Sequence, residues 1–250
     1  MTMRHYFITG VSAGIGLALA KQLLAMGHKV SGVARQAPAK TLTNKQAQFF
    51  AIAADVSDAK GMVNAISTAE KQLGAIDVAI LNAGVYIPQF TSDAPLTATV
   101  SDFRQQIEIN YLGQIHALLP LLPRMAKRKS GHIVLMASVA AWRGLPLAAG
   151  YAPSKAASLA LAESLVFACR PHSIKVQVVC PGFVSTRATA VNQFAMPMLM
   201  TPEAAALAII KGMAQKRFMI QFPFPFTLAM QILRLLPYAW YFWLVGRITR

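Results

Sequence analysis

Residues 4–24 read Arg4-His5-Tyr6-Phe7-Ile8, then Thr9-Gly10-Val11-Ser12-Ala13-Gly14-Ile15-Gly16, then Leu17-Ala18-Leu19-Ala20-Lys21-Gln22-Leu23-Leu24, and Gly27 stops the run. The first segment has the apolar and aromatic character of a short buried strand. The third is built of helix formers up to a glycine stop. Glycines between them allow a backbone to approach a ligand closely. Strand, glycine turn and helix together are the context of a phosphate-binding loop, because a helix start offers unpaired N–H groups and a partial positive charge. The spacing is Gly-x-x-x-Gly-x-Gly, distinct from the Gly-x-Gly-x-x-Gly of the general dinucleotide fingerprint.

Working outward, Lys29 to Ala34 is the next strand and ends at Arg35. An acidic residue near this point bonds a ribose 2′-hydroxyl, whereas an arginine accommodates a 2′-phosphate. No Asp or Glu lies between Lys29 and Asp55, so NADP is expected ahead of NAD. Phe49 to Ala53 is a third strand, followed by Asp55-Val56, and Val78 to Leu81 a fourth, ending at Asn82-Ala83-Gly84. The alternation of strand and helix signals predicts an α/β fold, a single-domain Rossmann-type doubly wound parallel sheet with helices on both faces. Such sheets bind ligands beyond the carboxyl ends of their strands.

The strand-like run His132 to Ala137 ends at Ser138, and Tyr151 and Lys155 follow at Tyr-x-x-x-Lys spacing. Four residues make about one helical turn, which puts phenol and ammonium on one face. A nearby cation favours phenolate and lowers its pKa from about 10, which suits a general acid or base. Ser138 stands where a hydroxyl can orient a carbonyl. The same pair also occurs on solvated helix faces, so its meaning comes from the rest of the chain. Gly150 and Pro153 place Tyr151 at or just before a helix start, and Ala156 to Cys169 continues as an alanine-rich helix.

Thr9-Gly10-x-x-x-Gly14-Ile15-Gly16, Asp55, Asn82-Ala83-Gly84, Asn110, Ser138, Tyr151-x-x-x-Lys155 and Pro181-Gly182 come in the order found in short-chain dehydrogenases/reductases. The chain resembles the most-populated branch of that family over about residues 4–215. The resemblance implies a catalytic tetrad of Asn110, Ser138, Tyr151 and Lys155. Tyr151 would exchange the proton, Ser138 would polarise the substrate carbonyl, and Lys155 would bind the nicotinamide ribose and tune the tyrosine. Asn110 would hold a water linking Lys155 to solvent. It also implies that Gly10, Ser12, Gly14, Ile15 and Gly16 cradle the pyrophosphate and that Asp55 and Val56 hold the adenine. Asn82, Ala83 and Gly84 would sit over the cofactor, with Pro181, Gly182, Val184 and Thr186 at the nicotinamide. The alanine-rich helix commonly lies at a subunit interface in the family, which implies a homodimer or tetramer.

A chain of 250 residues, 55% hydrophobic, is read as one domain, with 183–215 as a substrate-loop region and 222–250 as an apolar, basic C-terminal extension. Cys169 and Cys180 sit in apolar settings and are expected to be free thiols, and no His/Cys cluster suggests a metal. Met1-Thr2-Met3-Arg4-His5 meets the first strand at once, so no secretory signal and a cytoplasmic location are expected.

The net charge is +15, and no acidic residue follows Glu203. The same stretch is intensely apolar: Phe222-Pro223-Phe224-Pro225-Phe226, then Leu228 to Leu236, then Tyr238 to Ile248 after Pro237. Neither piece has the roughly 20 residues a bilayer span needs. Aromatic and basic together, the extension fits a peripheral membrane contact, a cover for a substrate cleft, or a subunit interface. Family members typically end near a short Gly-rich strand instead, so the extension is a departure that leaves the family's tetramer contacts open.

The loop Phe183 to Met200, with Phe194, Met196, Met198, Leu199 and Met200, has the composition of an adaptable lid over an apolar ligand, or of ordinary helix packing. Trp142, Leu145, Pro146 and Leu147 are candidates for the opposite wall, and Arg143 and Arg187 for binding a substrate carboxylate. These features lead to an expected NADP(H)-dependent hydride transfer between nicotinamide and a lipophilic carbonyl or alcohol, NAD(H) remaining a second option. A ketoreductase acting on carrier-protein-bound 3-oxoacyl groups is an alternative, weakened by the missing Gly-rich end. A non-catalytic NADP-sensing or membrane-surface scaffold is another, weakened by the complete tetrad. No motif supports specific nucleic-acid binding, because a basic surface alone is non-specific.

Overall fold

The computed structural model describes residues 2–36, 48–90, 98–192 and 194–248. Seven strands form one parallel sheet: β1 (His5–Thr9), β2 (Lys29–Ala34), β3 (Phe49–Ala53), β4 (Val78–Leu81), β5 (Gly131–Met136), β6 (Ile174–Pro181) and β7 (Met219–Phe222). Their order is β3-β2-β1-β4-β5-β6-β7. β1 pairs with both β2 and β4, Ile8 lying opposite Gly32 on one side and Ile80 on the other. The chain therefore reverses its direction of travel at β1, and a crevice opens beyond Thr9 and Leu81.

Alternation along the strands divides the core in two. Phe7, Ala79, Leu81, Ile133, Leu135, Val176 and Val178 face one side, against α2 (Ala59–Leu73), α4 (Gly113–Lys127) and α5 (Tyr151–Cys169). Tyr6, Ile8, Val78, Ile80, Val134 and Val179 face the other, against α1 (Gly14–Ala25) and α6 (Pro202–Met213). The central strands are thus apolar on both faces, as parallel sheets covered by helices require.

β2, β3 and β4 have the expected bounds, while β1 and β5 are each shifted by one residue. α1 starts at Gly14 rather than Leu17, because the last two glycines of the loop already form its first turn. α3 (Val100–Ile107) begins with a Thr99–Asp102 capping box and runs through a π-helical turn, Glu108–Leu112, into α4. The extension forms α7 (Phe224–Leu235) and α8 (Tyr238–Ile248), separated at Pro237 as the sequence suggests. No helix among the described residues is long and apolar enough to cross a membrane. Cys169 and Cys180 are both buried free thiols. Residues 249–250 of the extension and Gln193 of the substrate loop lie outside the described residues.

Candidate active site

The glycine turn is tied down from three sides. Gly10 N–H donates to the Val33 carbonyl of β2 at 2.8 Å. Asn82 Nδ2 donates to the Thr9 and Gly10 carbonyls at 3.0 and 3.2 Å, and the Ala83 N–H donates to Thr9 Oγ1 at 3.0 Å. Asn82-Ala83-Gly84 therefore closes the crevice between β1 and β4. A Cβ on Gly16 would overlap the Gly10 carbonyl oxygen, so helix and turn meet with no room for a side chain. Gly14 has φ +56°, and a Cβ there would come 3.0 Å from the Thr186 methyl. The loop after β6 thus arches onto the start of α1.

No side chain caps that helix start and its first turn holds no acidic residue. Its N–H groups are suited to an anion. Arg35 is exposed just past the end of β2. Ala54 N–H donates to the Ala34 carbonyl at 3.1 Å, which holds the chain leading to Asp55 beside the chain leading to Arg35. The Asp55 carboxylate accepts from the Ser57 N–H and hydroxyl at 2.9 and 2.8 Å, and Val56 is buried. The glycine turn and the uncapped helix start can receive an anionic group, and Arg35 and Asp55 follow adjacent strands at the same edge of the sheet.

The second half of the site assembles at the carboxyl ends of β4 and β5. Lys155 Nζ is buried and donates to the Met136 carbonyl at 2.9 Å. It stands 5.6 Å from the centre of the Tyr151 ring. Tyr151 is the first residue of α5, as its neighbours Gly150 and Pro153 indicate. Ser138 is buried, and its hydroxyl accepts from the Ala140 N–H at 3.2 Å. A Cβ on Gly84 would meet Asn110 Oδ1 at 3.1 Å and Lys155 Nζ at 3.4 Å, so the Asn82-Ala83-Gly84 turn, the π-helical turn and α5 converge there.

Asn110 sits fully buried in the π-helical turn. Its Oδ1 accepts from the Val85 N–H at 2.7 Å, and its Nδ2 donates to the Val85 carbonyl and Ser154 Oγ, both at 2.9 Å. The amide thus clamps the segment after β4 to α5.

The electrostatics correct one expectation. Burial raises the Tyr151 phenol to about 12, and the Ser138 hydroxyl only partly opposes that rise. Burial also lowers the Lys155 ammonium to about 8. Desolvation decides the direction, and the lysine expected to lower the phenol is not among the groups that shift it. Behind the site, burial pushes the Cys180 thiol up to about 12, which keeps it neutral.

The expected substrate residues divide. Leu145 packs with Tyr86 and Tyr151 around Ala140, Ala148 and Ala152. Phe194 lies edge-on to Phe183 at 5.8 Å, and Met198 is exposed. Trp142 is largely buried in the main core, and its remaining edge borders a cavity shared with Arg143, Leu236 and Tyr238. Arg143 is committed elsewhere: its Nη1 donates to the carbonyls of Leu233, Arg234 and Leu236 at 3.2, 2.9 and 2.7 Å. Its guanidinium also lies 4.6 and 4.0 Å from the ring centres of Tyr238 and Tyr241. That leaves it poorly placed to receive a substrate carboxylate.

Sequence reasoning missed Tyr86, whose ring stands edge-on to Tyr151 at 5.2 Å and whose hydroxyl donates to the Leu147 carbonyl at 3.2 Å. It also missed Gln114, which shares the Met136 carbonyl with Lys155 by donating to it at 3.1 Å. Ser154, which receives the Asn110 amide, was detectable only from its position beside Tyr151.

Comparison with known proteins agrees with this geometry. The short chain dehydrogenase family model matches residues 4–195. An uncharacterized oxidoreductase of Myxococcus xanthus (strain DK1622) is 31% identical over 242 residues, covering 95% of this chain and 94% of its own. The 1-deoxy-11-beta-hydroxypentalenate dehydrogenase of Streptomyces exfoliatus is 36% identical over 191 residues, covering 73% of this chain and 68% of its own. A short chain dehydrogenase from Burkholderia cenocepacia J2315, solved in complex with NADP, superposes with a TM-score of 0.80 at 22% identity over 100% of both chains.

Proposed function

The chain belongs to the short-chain dehydrogenase/reductase family of oxidoreductases, and from that premise we propose that it is an NADP(H)-dependent reductase of lipophilic carbonyl compounds, reversible on the corresponding alcohols. The observation that carries this reading is the convergence of Lys155 and Asn110 on Gly84, with Tyr151 and Ser138 beside them, at the crevice the glycine turn closes. Gly10, Gly14, Gly16 and the α1 start would hold the pyrophosphate, Asp55 and Val56 the adenine end, and Arg35 a 2′-phosphate. Bound there, the nicotinamide supplies hydride to the carbonyl carbon.

The protein's own part is proton transfer and orientation. Tyr151 Oη gives its proton to the carbonyl oxygen, and its raised pKa keeps that proton available at neutral pH. Ser138 Oγ hydrogen-bonds the same oxygen. Lys155, a buried cation beside the ring, stabilises the charge that grows on the phenol as the proton leaves. Asn110 fixes the segment carrying Gly84 against α5. Leu145 and Tyr86 beside Tyr151, with Phe183 and Phe194 from the substrate-loop region at 183–215, support an apolar substrate.

The same reading includes a homo-oligomer through α5, whose outward Phe167 is 80% exposed, and a peripheral membrane contact through the extension. NADPH and NADH titrations on wild type and Arg35→Ala test the cofactor. NADPH affinity should fall selectively in the variant, and equal, unchanged binding of both cofactors would remove the NADP assignment. Full turnover by Tyr151→Phe would overturn the mechanism.

A further inference from the structure

Among the described residues, the two C-terminal helices carry an apolar surface that the rest of the fold does not cover. On α7, Thr227 is buried while Phe226 and Met230 pack onto the main core. Phe224, Leu228, Ile232 and Leu235 face outward at intervals of three or four residues, which makes one stripe. On α8, Tyr241 and Val245 are buried, while Tyr238, Trp240, Phe242 and Trp243 are 71, 67, 64 and 56% exposed. The larger aromatic rings of α8 therefore lie mostly on the side that folding does not use.

Of the outward residues on α8, Tyr238 also meets Arg143, whose guanidinium lies 4.6 Å from its ring centre. Arg143 donates to the carbonyls of Leu233, Arg234 and Leu236 at the end of α7, where helix carbonyls run out of intrahelical partners. The Tyr241 hydroxyl donates to the Gly144 carbonyl. Both anchors come from the loop between Ser138 and Tyr151, so the exposed surface is set beside the active site.

Charge identifies the occupant. No acidic residue follows Glu203, and Arg234 and Arg247 lie within these helices. Arg247 stacks 4.2 Å over Trp243. A second copy seated by the same face would bring the same acid-free cationic surface, so self-association through it has no counter-charge. An anionic lipid surface supplies one. Trp and Tyr favour the headgroup layer, and arginine is drawn to an anionic leaflet. Helices of 12 and 11 residues reach about 17 Å, short of the roughly 30 Å hydrocarbon core, so they lie in the interface.

We propose that the outward face of α7 and α8 docks the protein on an anionic bilayer through Trp240, Trp243 and their flanking apolar side chains, with Arg143 holding the docked helices beside the active site. This rests on the peripheral contact named above and gives it a face, a lipid charge and an anchor. The docked surface would place the catalytic loop close to a bilayer, from which a lipophilic carbonyl substrate can be drawn.

The test is flotation of the full chain with vesicles of phosphatidylcholine alone and of phosphatidylcholine containing phosphatidylglycerol, at low and high salt. The wild type should float with the anionic vesicles and lose binding as salt rises. Trp240→Ser/Trp243→Ser and Arg247→Glu should each bind about tenfold more weakly or worse. Turnover of a water-soluble ketone in each variant checks folding and tests the oxidoreductase reading separately. Failure of the active wild type to float, equal binding to both vesicle types, or undiminished binding by the tryptophan variant would overturn the proposal. Concentration-dependent dimerisation abolished by the tryptophan substitutions, without vesicle binding, would assign the face to a second copy instead.

Discussion

Lys155 and Tyr151 share one buried space, with the ammonium 5.6 Å from the centre of the phenol ring and bonded to the Met136 carbonyl at 2.9 Å. Burial has opposite consequences for the two groups. It raises the tyrosine to about 12 and lowers the lysine to about 8. Between those values the phenol keeps its proton while the lysine loses its charge. Carbonyl reduction should therefore be constant near neutral pH and decline above about 8, approaching a tenfold loss per pH unit. A kcat/KM profile from pH 6 to 10 checks this, and a flat profile would show that the lysine charge is unimportant to turnover.

Gly16→Ala should damage both stability and cofactor binding. Its methyl would overlap the Gly10 carbonyl oxygen and sit 2.6 Å from Asn82 Nδ2. Relief requires the turn to move, at a cost of about 1–3 kcal/mol. Thermal unfolding and NADPH titration should shift together, and an unchanged melting temperature would contradict the close packing.

Arg143→Ala should lower stability by about 1.5–3 kcal/mol in total, a ceiling reduced by solvent screening, because its three carbonyl contacts share the two protons of one nitrogen. The three helix-end carbonyls lose their donor, and the rings of Tyr238 and Tyr241 lose their cation. NADPH affinity should be unchanged while KM for a lipophilic ketone rises. A parallel loss of cofactor binding would show that the clasp supports more than the substrate side.

His132 should make the protein acid-sensitive. Burial and the neighbouring Lys175 charge lower its pKa to about 4 from an ordinary 6.5. The unfolded chain binds the proton first, so this contribution is complete above about pH 6.5 and is lost as pH falls towards 4. The slope in that window is about 1.4 kcal/mol per pH unit at most. His5 and His28, also lowered by burial, act in the same direction. Urea unfolding of wild type and His132→Leu at pH 7 and pH 5 should show a smaller pH effect in the variant.

Strands were legible where apolar runs end in sharp punctuation: β2, β3 and β4 have the bounds expected from Lys29–Ala34, Phe49–Ala53 and Val78–Leu81. Tyr151 heads its helix because glycine and proline on either side allow few other arrangements. The π-helical turn around Asn110 was not legible, because a change in hydrogen-bond register leaves no hydrophobic period. The Arg143 contacts were equally hidden, since they join residues 90 or more positions apart through backbone carbonyls. The setting of Trp142 was not legible, because a large aromatic can line a cleft or fill a core, and only packing decides how much of each. The tyrosine pKa was misread for the same reason. Spacing reveals a neighbouring charge but not how much water has been excluded around it.

The clasp at Arg143 also divides the molecule by inheritance. The nucleotide half takes its shape from contacts among Thr9, Gly10 and Asn82, all within the first third of the chain. The loop leading into Tyr151 is held by Tyr86 and Gln89 on one side and by the far carboxyl end on the other. Variation in the last two helices can therefore reach the loop before Tyr151 while leaving the glycine turn as it is.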